Sequence, residues 1–289
     1  MDVRDQINAG MLRCVRTGMT LALDGKVLVT GDGQSRYAMA RDAVPIILKS
    51  EDDIQKLLEQ NTEMEDEYNS PSLYQRIRNY FYKDFSSHDF IAVLDTVIRN
   101  RPANEAIISI GGGPTRDGPN VTNLNIGPFP NVDIIGDAHD LPYNDCVLDA
   151  IYCTAVLEHL REPITAVQEM HRVLKPRRQV LSVIPFMQGY HGYPSHFQNY
   201  TLSGHEYLYS SHGFKVISSG ACLGPVVAMT NLNAQFFLEY MPPVLNVLLG
   251  RGMQLLGLLL RPLDRLLEKN PKRHILASAT YVLAEKELV

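Results

Sequence analysis

The stretch from Ala106 to Gly113 constrains the fold of this chain more than any other. Residues 106–110 are a short apolar run rich in β-branched residues, and Gly111, Gly112 and Gly113 follow it directly. Such a run favours a buried strand, and glycines after it indicate a loop whose backbone passes close to another group. In α/β proteins, ligands bind at the carboxyl ends of such strands. A tight corner has the same pattern, so the glycines alone leave both interpretations open.

Further apolar segments predict the other strands of the sheet and a helix that packs on it. The spacing predicts strands at residues 121–126, from 132 onward, at 148–153, before Pro185, at 214–217 and at 279–284. Apolar residues recur at helical spacing over residues 90–98, which predicts a helix packed on the sheet just before its first strand.

Five motifs occur in a fixed order along residues 105–185. They are Gly111-Gly112-Gly113, Gly136-Asp137-Ala138 with Leu141-Pro142, Asp149-Ala150-Ile151 before Cys153, Leu157-Glu158-His159, and Arg172-Val173-Leu174-Lys175-Pro176. In this order the chain resembles class I methyltransferases that use S-adenosylmethionine, of the ubiquinone/menaquinone-methyltransferase-like type (methyltransferase type 11). The resemblance implies an α/β fold with a doubly wound, mostly parallel, seven-stranded Rossmann-like sheet, and S-adenosylmethionine as the cofactor.

The resemblance also implies which residues contact the cofactor. They are Gly111, Gly113, Asn125, Asp137, Ala138 and Cys153. Asn125 stands where the family has a carboxylate that accepts hydrogen bonds from the ribose, and an uncharged amide accepts more weakly. Asp137 matches the acid that accepts from the adenine amino group. The alternative for Asp137 is a cap on the loop that follows it.

The early connections between strands are too short for the usual helices. Residues 111–120 separate the first two strands, and residues 127–131 separate the second from the third. A crossover between parallel strands normally needs a dozen or more residues. The sequence therefore predicts that both crossover helices are trimmed to loops, and the first of them would have offered its N-terminus to the cofactor.

The candidate catalytic residues lie in residues 185–201, which follow the fifth strand. Methyl transfer from a sulfonium is an in-line displacement, so a base is needed only where the acceptor must lose a proton. Imidazole suits that task, and His191 is the first candidate base and His196 the second. The alternative is that both histidines only hold the loop, and His159 is interpreted as a structural residue. The candidate substrate contacts are Tyr190, Tyr193 and Tyr200.

Residues 1–50 are predicted to form a small β-rich module. Asp24-Gly25 between two apolar runs indicates a hairpin. The segment resembles the Trm112-like zinc-ribbon module, whose four zinc ligands are cysteines. Those positions read Cys14, Thr17, Thr30 and Gly33 here. We therefore expect no metal, and we expect packing against the rest of the chain to hold the module.

The remaining chain divides into a helical connector at residues 51–104 and the methyltransferase-like domain at residues 105–289. The latter carries an apolar helical insertion at about residues 236–267, in which Arg251 and Arg261 break the apolar run. These charges argue against a helix that spans a membrane. Packing inside the protein is the favoured interpretation, and a substrate lid, a dimer face or a helix on a membrane surface are the alternatives.

The net charge and the cysteines restrict the possible partners and the cellular compartment. A net charge of −5 gives no general attraction to nucleic acid. Four scattered cysteines without a C-x-x-C pair, and a first segment without an apolar signal core, predict a cytoplasmic protein. The expected function is methyl transfer to a small molecule, either a secondary metabolite or a lipid-linked one, with a homodimer or peripheral membrane contact as partner options. The alternatives are a related fold diverted to isomerisation or cyclisation, and a non-catalytic partner protein.

Overall fold

A computed structural model describes residues 1–40, 44–50, 86–113, 116–192 and 195–288. Three short strands near the N-terminus form a small antiparallel sheet. Their bounds are β1 Leu21–Asp24, β2 Val27–Thr30 and β3 Arg36–Tyr37. The predicted hairpin at Asp24-Gly25 joins β1 to β2.

The central sheet contains nine strands within the described residues. Their bounds are β4 Met39–Ala40, β5 Val44–Ile47, β6 Ile107–Ile110, β7 Val121–Asn125, β8 Ile134–Gly136, β9 Leu148–Thr154, β10 Leu174–Pro185, β11 Phe214–Leu223 and β12 Ala279–Lys286. The order across the sheet is β11-β12-β10-β9-β6-β7-β8-β5-β4.

The strand order confirms the doubly wound fold. From β6 the chain adds β7 and β8 on one side, and then returns to add β9 and β10 on the other, with all of these pairs parallel. Strand β12 inserts antiparallel between β10 and β11. The sheet has two strands more than the seven predicted, because β5 pairs in parallel with β8 and β4 pairs with β5. An exposed sheet edge is thereby covered by residues assigned to the N-terminal module.

The central strands are apolar on both faces because other parts of the chain cover both faces at the centre of the sheet. Ile107 packs with Phe90 and Leu94 on one face. Ile108 and Ile110 pack into the core on the other face. Alternate residues of a strand point to opposite faces, and a sheet that is covered on both sides therefore shows a continuous apolar run.

Seven helices are present within the described residues. They are α1 Val3–Asn8, α2 His88–Leu94, α3 Pro163–Val173, α4 Leu202–Ser210, α5 Pro225–Tyr240, α6 Pro243–Leu260 and α7 Leu263–Leu267. Helix α2 continues as one π-helical turn over Asp95–Arg99, which confirms the helix predicted at residues 90–98. Residues 51–85 of the connector predicted at residues 51–104 lie outside the described residues.

The two trimmed crossovers are confirmed. Residues 127–131 and the described part of residues 111–120 contain no helix. An ion pair closes the first loop: the guanidinium of Arg116 donates to both carboxylate oxygens of Asp133, at 2.8 and 2.6 Å. Asp133 also accepts from the backbone N–H of Asn123 at 2.8 Å, so its carboxylate joins the first loop to β7.

Residues 1–40 pack against the central sheet, as expected. Gln6 is buried, and its amide donates to the Thr122 hydroxyl and accepts from the Tyr143 hydroxyl, both at 2.8 Å. Arg13 pairs with Asp140 at 2.6 Å. Cys14 is buried with its Sγ 3.1 Å from the Tyr37 hydroxyl. The resemblance of this segment to a zinc ribbon stays a prediction.

The apolar segment after β11 is not packed inside the protein, so the favoured interpretation is wrong. Only 11% of the residues in helix α6 are buried, and by length and composition alone this helix could cross a membrane. Val244 is 82% exposed, Leu248 68% and Leu259 70%. The apolar face of this helix is therefore available to something other than the core of its own chain.

Candidate functional site

The parallel strands bring the predicted cofactor residues to one edge of the sheet. Ile110 is in register with Leu124 of β7 and with Cys153 of β9. Asn125 is in register with Ile135 of β8. The residues that end or follow these strands are therefore neighbours at the carboxyl edge, where ligands of α/β proteins bind. They are Gly111, Gly113, Asn125, Asp137, Ala138 and Cys153.

The glycines of the loop after β6 have different surroundings. Gly111 has φ +80°, and a Cβ on it would overlap the Val156 side chain. A Cβ on Gly112 would lie 2.6 Å from Oδ1 of Asn123. The chain's own side chains thus account for two of the glycines. At Gly113 the nearest atom to such a Cβ is a backbone oxygen at 3.8 Å, so this position has room for a ligand.

Asn125 holds the same loop. Its Nδ2 donates to the carbonyl oxygen of Gly112 at 2.9 Å, and its Oδ1 accepts from the backbone N–H of Gly127 at 3.2 Å. A carboxylate could not donate the first of these bonds, which explains an amide where the family has an acid. Oδ1 keeps a second lone pair for a ribose hydroxyl.

Asp137 caps the loop after β8. Its Oδ1 accepts from the backbone N–H of His139 at 2.9 Å and lies 2.8 Å from Nδ1 of that histidine. The side chain is 46% exposed, and its Oδ2 accepts no hydrogen bond from the described residues. The capping role is therefore present, and the second oxygen is still available to an adenine amino group.

Ala138 and Cys153 are buried in the protein core rather than exposed at the surface of a pocket. Both belong to the buried core on one face of the sheet. Burial raises the pKa of the Cys153 thiol, so this side chain is neutral and apolar in character. The prediction that Cys153 lines the methyl-donor pocket is untested by these contacts, although its strand end is at the right edge.

Three histidines from two segments meet beside this edge. His159 lies in the single 3₁₀ turn Leu157–His159 that follows β9. The ring of His159 is 5.3 Å from the ring of His191, and the His191 and His196 rings are 4.2 Å apart. Backbone bonds join the segments: the N–H of Phe197 donates to the carbonyl of Glu158 at 2.8 Å.

The two candidate bases differ in the state of their ring nitrogens. His196 accepts from the backbone N–H of His191 at Nδ1, and its Nε2 lies 2.7 Å from Oδ1 of Asn199, so both nitrogens are used. In His191, Nδ1 is bonded to the Gly189 carbonyl, 3.0 Å away, and Nε2 lies 3.9 Å from Oε1 of Glu158. The Glu158 carboxylate raises the pKa of His191, against the opposing effect of partial burial. Of the two, only His191 keeps a ring nitrogen without a hydrogen bond to the described residues, and its role as a base stays a prediction.

Glu158 is a site residue that sequence reasoning missed. It is fully buried, and neither carboxylate oxygen has a hydrogen-bond partner among the described residues. Buried charges are normally paired. The signal in the sequence is weak, because a glutamate between Leu157 and His159 is equally typical of a solvated turn.

The tyrosines predicted to contact substrate are separated. Tyr190 is 69% exposed and its ring stacks on His196, with centroids 5.9 Å apart. Tyr200 is half-buried and packs against the core, and burial raises its pKa. Tyr193 lies outside the described residues. A cavity of about 230 Å³ opens beside His191, and its lining includes Gln188, Tyr190, His191, Val227, Leu232 and Gln235.

Comparison with known proteins gives the class of the central segment. Residues 121–181 match the family described as a methyltransferase domain. A stretch of 66 residues is 41% identical to the chloroplastic 2-phytyl-1,4-beta-naphthoquinone methyltransferase of Arabidopsis thaliana, and covers 20% of this chain and 25% of that protein. The chain thus matches about a quarter of the length of this curated relative.

Solved structures with a similar arrangement were also found. The 1,6-didemethyltoxoflavin-N1-methyltransferase of Burkholderia thailandensis, with bound 1,6-didemethyltoxoflavin and S-adenosylhomocysteine, aligns over 92% of this chain and 98% of its own, with TM-score 0.47 and 13% identity. Phosphoethanolamine N-methyltransferase 2 of Haemonchus contortus, with S-adenosyl-L-methionine, aligns over 69% of this chain and 52% of its own, with TM-score 0.43 and 13% identity.

The family match falls on the carboxyl edge described above. It begins at β7, includes Asn125, Asp137 and Glu158, and ends within β10. It supports the prediction of an enzyme of the S-adenosylmethionine-dependent methyltransferase class. The edge fits the cofactor in part: Gly113, the second lone pair of Asn125 Oδ1 and Oδ2 of Asp137 are open to it, whereas Gly111 faces Val156.

Proposed function

We propose that this protein transfers a methyl group from S-adenosylmethionine to a small apolar acceptor. One observation carries the proposal. The segment that matches the methyltransferase domain supplies the ends of β7, β8 and β9 to the carboxyl edge of a doubly wound sheet. When bound, the cofactor supplies an electrophilic methyl group on a sulfonium.

The residues proposed to hold the cofactor are Gly113, Asn125 and Asp137. Asp137 Oδ2 would accept from the adenine amino group, and Asn125 Oδ1 would accept from a ribose hydroxyl. A hydrogen bond to a charged group contributes about 1.5–3 kcal/mol, so Asp137 is the stronger of these two contacts.

The acceptor is proposed to occupy the cavity beside His191. His191 lines this cavity, and its Nε2 faces the Glu158 carboxylate rather than a hydrogen-bond partner. An acceptor hydroxyl or acidic carbon placed there would lose its proton to this nitrogen. The mixed lining, with Val227 and Leu232 opposite Gln188 and Gln235, suits a partly apolar molecule.

A lipid-linked acceptor is favoured by the exposed helix α6. The exposed cations near it are Arg251, Arg265, Lys269 and Lys272. Of the carboxylates in this region, Glu239 is exposed, whereas Asp264 and Glu268 are buried or half-buried. An apolar helix face with cations beside it suits an anionic lipid surface. The curated relative named above is, by its name, a methyltransferase of a phytyl naphthoquinone. We propose peripheral contact with a membrane from the cytoplasmic side, and a homodimer is the alternative use of this face.

A second candidate is a related fold that no longer transfers methyl groups. It is favoured by the loop after β6, where Val156, Asn123 and Asn125 occupy the space around Gly111 and Gly112. Such a protein would catalyse an isomerisation or cyclisation, or act as a non-catalytic partner.

Calorimetry separates the two candidates. We expect the full-length protein to bind S-adenosylmethionine and S-adenosylhomocysteine, with about 10-fold weaker binding in Asp137→Asn, which keeps the cap on His139. Asp24→Asn removes the same charge from an exposed turn and should bind as the wild type does. Absence of heat at millimolar cofactor contradicts methyl transfer. Binding without transfer of a labelled methyl group to quinones or lipid extracts favours the second candidate.

A further inference from the structure

We infer that Glu158, His159 and His191 form a binding site for a divalent first-row transition-metal ion. Nε2 of His159 and Nε2 of His191 each lie 3.9 Å from Oε1 of Glu158. The three ligand atoms all lie within 4.8 Å of one another. The sequence predicts no metal here, because these residues come from two separate segments and show no ligand spacing.

The hydrogen bonds behind the two rings prepare both histidines as ligands. Nδ1 of His159 is bonded to the Ser195 carbonyl, 2.6 Å away, and Nδ1 of His191 to the Gly189 carbonyl, 3.0 Å away. A carbonyl only accepts, so Nδ1 carries the proton and Nε2 carries the lone pair in each neutral ring. This backbone support of the second nitrogen is the usual arrangement around a metal-bound histidine.

Glu158 gives the second, independent indication. Its side chain is completely buried, and both oxygens lack a hydrogen-bond partner among the described residues. A buried carboxylate without a partner is costly, and such groups normally pair or coordinate a metal. The nearest polar groups that could share its charge are the two Nε2 atoms, which themselves have lone pairs to donate. A cation between the three groups satisfies all of them.

The dimensions suit a small ion. Bonds of about 2.1 Å in a tetrahedral site place ligand atoms about 3.4 Å apart. The Glu158 oxygen and each Nε2 atom, now 3.9 Å apart, must therefore approach each other by about half an ångström when an ion binds. Two imidazoles with one carboxylate favour Zn²⁺, Fe²⁺ and related ions over Mg²⁺ and Ca²⁺. Three protein ligands leave coordination positions open, as in catalytic sites. His191 lines the cavity described above, so these positions would be next to it.

His196 supports this site without belonging to it. Its Nδ1 accepts from the backbone N–H of His191, and its Nε2 is bonded to Asn199, so neither nitrogen is left for a metal. Its ring packs against His191 and holds that ring in place. With metal bound, Nε2 of His191 is a ligand and no longer a base. The inference does not depend on methyl transfer, because it concerns binding of the ion alone.

The test is titration of the full-length protein, dialysed against a chelator, with Zn²⁺ by calorimetry and with Co²⁺ by visible absorption. We expect one equivalent to bind, with the ligand-field bands of a histidine and carboxylate site. Glu158→Gln and His191→Ala should weaken binding more than about 10-fold. His274→Ala removes a histidine outside the cluster and should bind as the wild type does.

Thermal unfolding keeps the test decisive where a variant folds poorly. Ions that bind only the native state raise the unfolding temperature, so Zn²⁺ should raise it for the wild type and for His274→Ala but not for the other two variants. Without metal, Glu158→Gln should unfold at the wild-type temperature or above it, because the change removes a buried charge that accepts no hydrogen bond from the described residues. Absence of binding to the wild type, or equal binding to all four proteins, would overturn the inference.

Discussion

The side-chain amide of Asn125 donates a hydrogen bond of 2.9 Å to the carbonyl oxygen of Gly112. This bond ties the end of β7 to the loop after β6, and it needs a donor. It explains why the family's carboxylate is replaced in a chain whose first crossover has lost its helix. The side chains of Asn123 and Val156 lie close to the same loop, at Gly112 and Gly111 respectively.

We predict that Asn125→Asp destabilises the protein although it restores the family's residue. At neutral pH the carboxylate would face the Gly112 carbonyl without a proton to share, and a lost bond of this kind costs about 1–3 kcal/mol. Urea unfolding measures the difference. The difference in unfolding free energy between the wild type and the variant should become smaller in acid, where the protonated aspartate side chain of the variant can donate a hydrogen bond. Equal stability of the two proteins at pH 7.5 would show that the bond contributes nothing.

The two outer glycines of the loop should respond in opposite ways to alanine. Gly111→Ala combines φ +80° with overlap on Val156, and we expect a loss of about 2–5 kcal/mol in unfolding free energy. Gly113→Ala places its methyl group in open space and should change stability by less than about 0.5 kcal/mol. If the cofactor binds beside this backbone, Gly113→Ala should nevertheless weaken its binding. Unchanged affinity in Gly113→Ala would remove this position from the site.

A buried histidine should make the protein less stable in mild acid. His205 is fully buried, with its ring nitrogens 3.0 Å from the hydroxyls of Ser182 and Thr280. Burial lowers the pKa of His205 to about 3. Between that value and the unfolded pKa of about 6.5, only the unfolded chain holds the proton, so stability falls as pH falls, by up to about 1.4 kcal/mol per pH unit.

Urea unfolding at pH 7 and pH 5 tests this assignment. His205→Gln keeps a polar side chain but has no proton to gain, so its stability should depend less on pH than that of the wild type. His212→Gln, at the end of the same helix, should keep the wild-type dependence. A His205→Gln protein with the wild-type slope would contradict the prediction.

The exposed face of α6 should mediate contact with lipid. We expect the wild type to float with vesicles that contain anionic lipid, and we expect Leu248→Gln with Leu259→Gln to reduce this several-fold, because each leucine is about two-thirds exposed. Tyr207→Gln, at a residue 71% exposed on α4, is the matched control. The wild type could instead fail to bind vesicles and sediment as a dimer, while the leucine variant is monomeric. That result would assign the face to self-association.

Much of the fold could be predicted because the signals are local. The run at residues 106–110 is apolar enough to be a strand buried on both faces, and the ten residues after it are too few for a crossover helix. The sequence did not predict that β4 and β5 join the edge of the central sheet, and this has a different cause. Residues 44–47 read as part of a small module, yet they pair with β8, and pairing between segments nearly ninety residues apart leaves no trace in local spacing.

The candidate site shows the same division. Gly113, Asn125 and Asp137 were predicted from motif positions, and parallel pairing brings them to one edge. The sequence could not show that Gly111 faces Val156, that His196 has both nitrogens bonded, or that Glu158 is buried without a hydrogen bond to its carboxylate from the described residues. Those are properties of the packed state.

The sequence by itself determined the strands, the short crossovers and the order of the methyltransferase-like motifs, because these depend on neighbours along the chain. The tertiary structure decided the nine-stranded sheet, the exposure of α6 and the meeting of Glu158 with His159 and His191. Each of these depends on how segments far apart in the chain pack against one another. Packing decides which groups are buried from water, and local sequence does not specify it.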